Sequence, residues 1–435
     1  MKTIPLHSPN RSPLRLGFLL IPLLFACFAL SPAARGVRQS AYDTNNANTF
    51  LGNYALLNNT SGYEDTATDS GAQSCNRFLL GRAEFAAGSL PYGLAIGDFN
   101  RDGIIDLAVA DFGSASVSVL LGKGHGAFGA PLSFAAGPGA RAIVAADFNG
   151  DGILDLAVAN AGSIPDGTVS ILIGNGDGTF QDHVDYATGG GPRWVATGDF
   201  NSDGKLDLAV SEGNCGVGTT VGVLLGNGDG TFEPVVHYTV NPNPTYVLTA
   251  DFNGDNNLDL AVVTCGGTVS ILLGNGDGSF GPHQDFTVGS SPIGGVAADF
   301  NQDGKIDLAV PNWGGGDGDS VSVVLGNGDG TFTTQVQYET GIGPANIIAA
   351  DMNLDGCIDL VVTNNGPNPP GTGTTVSILL GNCDGTFSDR RDFSTGMGPA
   401  FLAAGHFARG PKPDLAVTNL NQQPGSVSIL LGNSF

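Results

Sequence analysis

Short apolar runs rich in Val, Leu, Ile and Ala recur along the chain, each cut off by Gly, Asn or Asp. In one representative stretch they fall at 194–197, 208–210, 221–225 and 235–239, with polar turns between them. Runs of this length bounded by turn residues read as β-strands, and Asp-Gly between two of them is a strong hairpin signal. No segment sustains a 3.6-residue apolar period with caps, so the pattern predicts an all-β chain without helices.

The pattern also repeats. The string Asp-Phe-Asn-x-Asp-Gly-x-x-Asp-Leu, with small variations, begins at Asp98, Asp147, Asp199, Asp251, Asp299 and Asp351. An eroded seventh copy starts at His406 and ends at Asp414-Leu415. A second string, Leu-Leu-Gly-Asn-Gly-Asp-Gly-Thr-Phe or a variant, follows at 172–180, 224–232, 272–280, 324–332 and 379–387. A divergent form lies at 120–128, and 430–435 is cut short by the end of the chain. Four antiparallel strands per unit of roughly 40–50 residues is the arithmetic of a propeller blade.

Seven copies give seven blades, but the last lacks its outer strand. Residues 83–88 match 184–189 in pattern and supply a candidate for it. The expected fold is therefore a seven-bladed β-propeller over 81–435, closed by an N-terminal strand that removes an exposed edge.

The first residues read differently. Lys2, Arg11 and Arg15 precede an apolar run at 16–30, and small residues follow at Ser31, Ala33 and Ala34. That is the layout of a signal peptide over 1–34, and the run is shorter than the ~20 residues of a membrane span. Cys27 offers a lipoprotein site, weakened because the apolar run continues past it. Residues 35–80 are rich in Asn, Thr, Ser and Gly and read as a flexible spacer. No later segment is apolar enough to span a membrane, so the expected location is secreted, periplasmic or at the cell surface.

Composition supports an array of turns around an ordinary core. Glycine is 68 of 435 residues, about double the usual ~7%, while the hydrophobic fraction is 41%. Acids outnumber bases 41 to 17, for a formal charge of −24. Losing the leader's three bases would take this to −27. Such a surface excludes nucleic acid as a partner, since phosphate binding needs a basic face.

The repeated loop has the chemistry of a calcium site, because calcium takes six to eight oxygen ligands in flexible geometry. In the first copy Asp98, Asn100 and Asp102 give side-chain oxygens, Ile104 a carbonyl, and Asp106 closes the set. Gly103 permits the bend. The corresponding sets are Asp147, Asn149, Asp151, Asp155; Asp199, Asn201, Asp203, Asp207; Asp251, Asn253, Asp255, Asp259; Asp299, Asn301, Asp303, Asp307; and Asp351, Asn353, Asp355, Asp359. Asn256 replaces the glycine in the fourth copy, and Asn is the next best residue for a left-handed conformation. In the seventh, His406, Ala408 and Gly410 stand at the first three ligand positions, which predicts an empty site. Six ions at tenfold saturation would add roughly 8 kcal/mol, a structural contribution. The Gly-Asn-Gly-Asp-Gly turn is a weaker metal candidate; its Phe180, Phe232, Phe280, Phe332 and Phe387 are expected to pack between blades.

The paired strings resemble FG-GAP/VCBS repeats, the units of the integrin α-subunit propeller and of many bacterial surface proteins. The resemblance covers about 83–435. It implies a calcium-stabilised propeller used for adhesion, ligand binding or carbohydrate recognition; some relatives are lectins and a few are lyases.

The calcium loops join first and second strands, so they share one face of the disc. The loops joining second and third strands lie on the other face and vary most between copies. Tyr92, Arg141, Arg193, Trp194, Tyr246, Trp313 and Phe401 are the candidate ligand residues of that rim, suited to a glycan or a cell-surface protein. Catalysis has little support: His183, His237 and His283 fall at outer strands, and no nucleophile triad, phosphate loop or zinc spacing emerges. A polysaccharide lyase on the same scaffold is the alternative reading. Blade geometry further predicts a Cys357–Cys383 bridge within one blade and a Cys215–Cys265 bridge between neighbours.

Overall fold

In the computed structural model, residues 79–162, 167–214, 217–367, 371–422 and 424–432 are described. The leader at 1–34, with Cys27, and nearly all of the 35–80 spacer lie outside them. Seven four-stranded antiparallel sheets follow one another along the chain. Blade 1 comprises Pro91–Gly97, Asp106–Asp111, Ser116–Leu120 and Leu132–Ala135, and blades 2 to 6 repeat the order. Each blade's inner strand packs against that of the next, and the inner strand of blade 7 (Pro399–Gly405) returns to that of blade 1, so the ring closes.

Closure uses the expected strand. Leu79–Ala86 pairs antiparallel with Ser426–Gly432, placing Phe85 opposite Val427, and becomes the outer strand of blade 7. It begins two residues inside the segment read as spacer. The only helical element among the described residues is one 3-10 turn, Gly314–Gly316.

Burial explains why the strands lack a clean two-residue alternation. The second strand of every blade is buried at nearly every position, because neighbouring blades cover both of its faces. The outer strands are the exposed ones, and those of blades 1 to 6 are only four residues long, as edge strands tend to be.

Two devices bind blade to blade. In blades 1 to 6 the turn after the third strand donates an amide to the corresponding loop of the preceding blade, as Gly178 N–H to the Phe99 carbonyl at 3.0 Å and Gly230 N–H to that of Phe148 at 3.0 Å. The turn phenylalanine then meets two rings edge-on. Phe180 lies 5.6 Å from Phe99 and 5.5 Å from Phe134. At the seam between blades 7 and 1, Phe128 meets Phe407 and Phe85, so the closing strand completes the motif there. Each such pair adds about 0.5–1.5 kcal/mol beyond its buried area. The expected packing role of these phenylalanines is therefore correct.

Inside the blades a polar ladder crosses the second, third and outer strands. In blade 2, Asn160 donates to the Ser170 hydroxyl at 2.8 Å, and Ser170 donates to Asp185 at 2.6 Å. Blades 4, 6 and 7 keep the serine-to-acid step with Ser270–Asp285, Ser377–Asp392 and Ser428–Glu84. In blade 1 the acid sits on the second strand instead, where Asp111 accepts from Ser118 at 2.6 Å and from the Gly88 amide at 3.0 Å. Blade 3 inverts the ladder. Glu212 takes the second-strand place, Gly222 replaces the serine, and His237 on the outer strand contacts Glu212 at 2.8 Å. A Cβ on Gly222 would stand 2.4 Å from the Glu212 carboxylate, so the larger acid requires the glycine.

Candidate functional site

The six calcium-type loops share one geometry. In the first, Asp98 accepts the amides of Asp102 (3.0 Å) and Gly103 (2.8 Å), and Asn100 accepts Asp102 N–H at 3.0 Å. Asp102 accepts Ile104 N–H at 2.8 Å, and the Asn100 amide donates to its other oxygen. The network recurs in the other five, for example Asp251, Asn253 and Asp255 around the amides of Asp255, Asn256 and Asn257. Side chains at positions one, three and five thus fold inward over the loop's own backbone, on one face of the disc.

Gly103 has φ of +81°, and Asn256 takes the same left-handed conformation at +69°, as its substitution for glycine predicted. A second left-handed residue was not anticipated. Position four is left-handed in every loop, with Gly150 and Gly254 in two of them but Arg101, Ser202, Gln302 and Leu354 in the others.

The ninth position behaves differently from the rest of the predicted ligand set. Asp106 is fully buried, and its two oxygens accept the amides of Phe99 (2.9 Å) and Gly122 (2.6 Å). It ties the loop to the turn after the third strand. Asp155, Asp207, Asp259, Asp307 and Asp359 make the same clamp. So does Asp414 in the eroded seventh loop, to Ala408 and Gly432. Retention of the clamp where the other ligand positions are lost marks it as a requirement of the fold. One lone pair on each oxygen remains for a cation.

Burial pushes Asp106 up to about 6 and Asp359 to about 7 against the pull of their amide donors, with the loop's other acids adding to the rise. The exposed turn acids go the other way: hydrogen bonds from the Thr179 hydroxyl and amide hold Asp177 below the usual range. Among the described residues no three acidic, histidine or cysteine side chains converge on one point. A cation at positions one, three and five would therefore compete with the backbone amides for the carboxylates, and the Asn oxygen would have to contribute.

Cys357 and Cys383 are bridged, with Cα atoms 4.9 Å apart. Cys357 is position seven of the sixth loop. Position seven overlies the same turn glycine in other blades, as Lys205 does Gly228. Blade 6 replaces that contact with a covalent one. The other predicted bridge involves Cys215, which lies outside the described residues.

The candidate ligand residues divide. Trp194, Tyr246 and Phe401 are buried, at 1%, 1% and 6% exposure. They occupy the third position of the inner strands of blades 3, 4 and 7, and Trp194 is sandwiched between Tyr246 (4.1 Å) and Phe401 (5.1 Å). Blades 3 and 7 are not neighbours, so this stack spans the middle of the ring. Sequence reasoning placed these rings on the rim because inner-strand ends look like loop residues; instead they plug the ring's axis. The stack continues from Phe401 to Tyr92 (5.0 Å), with the Arg141 guanidinium 4.2 Å over the Tyr92 ring. Arg141 also donates to the Tyr92 hydroxyl at 2.6 Å. Tyr92, Arg141, Arg193 and Trp313 are half-buried and keep some surface on the variable face. The outer-strand histidines lie beside acids: His183 near Asp185 at 3.7 Å, His283 near Asp285 at 3.0 Å, and His237 on Glu212. No helix among the described residues is long and apolar enough to cross a membrane.

Among solved structures, the crystal structure of BBS1N in complex with ARL6DN, soaked with lead, is similar with a TM-score of 0.55 at 13% identity, over 81% of this chain and 96% of that one. The same complex soaked with mercury gives 0.55 at 12%, over 82% and 96%. At such identities the likeness shows the fold alone. No curated protein matches this sequence. The FG-GAP-like repeat profile matches residues 81–158, 159–210, 251–310 and 313–362, more than half of the chain. With seven blades built on one repeated loop, the chain belongs to the FG-GAP-like repeat family.

Proposed function

We propose that this protein is an exported binding module: a propeller stabilised by about six calcium ions, with recognition of a glycan or a cell-surface protein on the face of the variable loops. The observation that carries the reading is the sixfold recurrence of one loop geometry. Asp, Asn and Asp at positions one, three and five fold over the same backbone turn in six blades and are all lost together in the seventh. Loss as a set is what a shared cation explains, because isolated Asx turns would erode one residue at a time. A propeller in the BBS1N structure is part of a protein complex, which supports a binding role for the scaffold. The half-buried Arg193 and Trp313 give the variable face a cation and an aromatic surface.

The test is metal content and melting of the purified chain. About six calcium ions per chain and a melting point lowered by EGTA but restored by calcium, not magnesium, are expected. No bound calcium and no shift would remove the calcium reading.

A further inference from the structure

The calcium-loop face is not uniformly acidic. At a typical junction, between the loop of blade 2 and the turn of blade 3, stand Asp147, Asp151, Asp155 and Asp229 with no Lys or Arg. Cations elsewhere on this face stand within acidic loops: Lys205 and Lys305 lie 3.2 and 3.7 Å from Asp203 and Asp303 of their own loops, and Arg101 stands between Asp98 and Asp102 in the chain. The junction of blades 7 and 1 is opposite in sign. Its loop, 406–414, carries His406, Arg409 and Lys412, and its turn, 121–129, carries Lys123 and His125. Asp414 is the one acid in either segment, and it is buried on the Ala408 and Gly432 amides.

These segments are far apart in sequence yet joined directly, by the Gly126 amide donating to the Phe407 carbonyl at 2.7 Å. Lys123, His125 and Arg409 are exposed, and none makes an ion pair among the described residues. Loss of calcium ligands alone would leave neutral residues. Here the acids of both strings give way to His406, Gly410 and His125, and Lys123 replaces an Asn, so two distant segments that meet in space carry Lys123, Arg409 and Lys412 with no exposed acid among them, which calls for an anionic partner.

We infer that the seam between blades 7 and 1 is a second interaction surface, which takes a slender carboxylate-bearing glycan. Width decides the class. The flanking loops present Asp98 and Asp102 on one side and Asp351 and Asp355 on the other. A folded protein covering a standard ~800 Å² would overlie those acids, whereas a single uronate strand runs along the cationic strip. The inference rests on the binding-module reading but concerns the opposite face from the one proposed above.

The experiment is isothermal titration of the full chain with hexagalacturonate in calcium, at low and at raised sodium chloride. Binding that weakens with salt is expected, with no binding of neutral maltohexaose. Lys123→Glu/Arg409→Glu should bind at least about tenfold more weakly, and Lys123→Gln/Arg409→Gln should show an intermediate loss. Arg391→Glu, on the outer strand of blade 6, should bind as the parent does. The calcium-dependent melting shift should persist in every variant, which separates failure of this surface from failure of the calcium reading. No binding by the parent, equal binding of the neutral sugar, or full binding by both double variants would overturn the proposal. Tighter binding of poly-glutamate than of the uronate would overturn the glycan class in favour of an acidic protein.

Discussion

Asp111 offers a sharp test of how burial and hydrogen bonding balance inside the blades. It is fully buried and accepts from Ser118, Gly88 and, at 3.5 Å, Ser116. Burial outweighs those donors and pushes its carboxyl from 3.8 up to about 6. A folded-state value above the unfolded one means the native protein holds the proton more tightly. The associated stability is complete below pH ~3.8 and is lost as pH rises through about 6. A difference of roughly two units corresponds to about 3 kcal/mol at neutral pH. Asp111→Asn removes the charge and installs the residue that stands there as Asn160, Asn364 and Asn419 in other blades. The variant should be more stable than the parent by about 1–3 kcal/mol at pH 7.5, and equal to it near pH 4. Guanidinium unfolding of both proteins across that range gives the difference, in which the other buried acids cancel. A variant less stable at pH 7.5, or a difference independent of pH, would show that the donors outweigh burial and refute the reasoning.

Three further outcomes follow from the loops and ladders. Asp414→Ala leaves the Ala408 and Gly432 amides without their acceptor and should lower stability by about 2–4 kcal/mol; melting with and without EGTA should show the same loss, whereas Asp98→Ala, which frees two exposed loop amides, should lose more stability in calcium than in EGTA. Leu354 holds a left-handed φ of +65° and is about half exposed, so Leu354→Gly should raise stability by about 0.5–1 kcal/mol in thermal unfolding. Gly222→Ser drives an atom into Glu212 and should destabilise by about 1–3 kcal/mol, while the triple variant Glu212→Asn/Gly222→Ser/His237→Asp rebuilds the common ladder and should recover most of that loss in the same assay.

The repeat alone determined the architecture. Seven spaced strings fix seven blades, and the missing outer strand of the last could be found at Phe85 because strand patterns are local and recur. The left-handed Asn256 and the Cys357–Cys383 bridge were legible for the same reason: their positions are defined within one repeat. What the sequence could not reveal depends on contacts between repeats. Asp106 looks like one more ligand until its oxygens are seen on the amides of Phe99 and Gly122. Trp194, Tyr246 and Phe401 read as rim residues because nothing local shows that strands of non-adjacent blades face each other across the axis. The cationic seam at Lys123 and Arg409 exists only where the ring closes and brings the two ends of the array together. Local spacing encodes the blade, and closure of the ring decides which side chains meet.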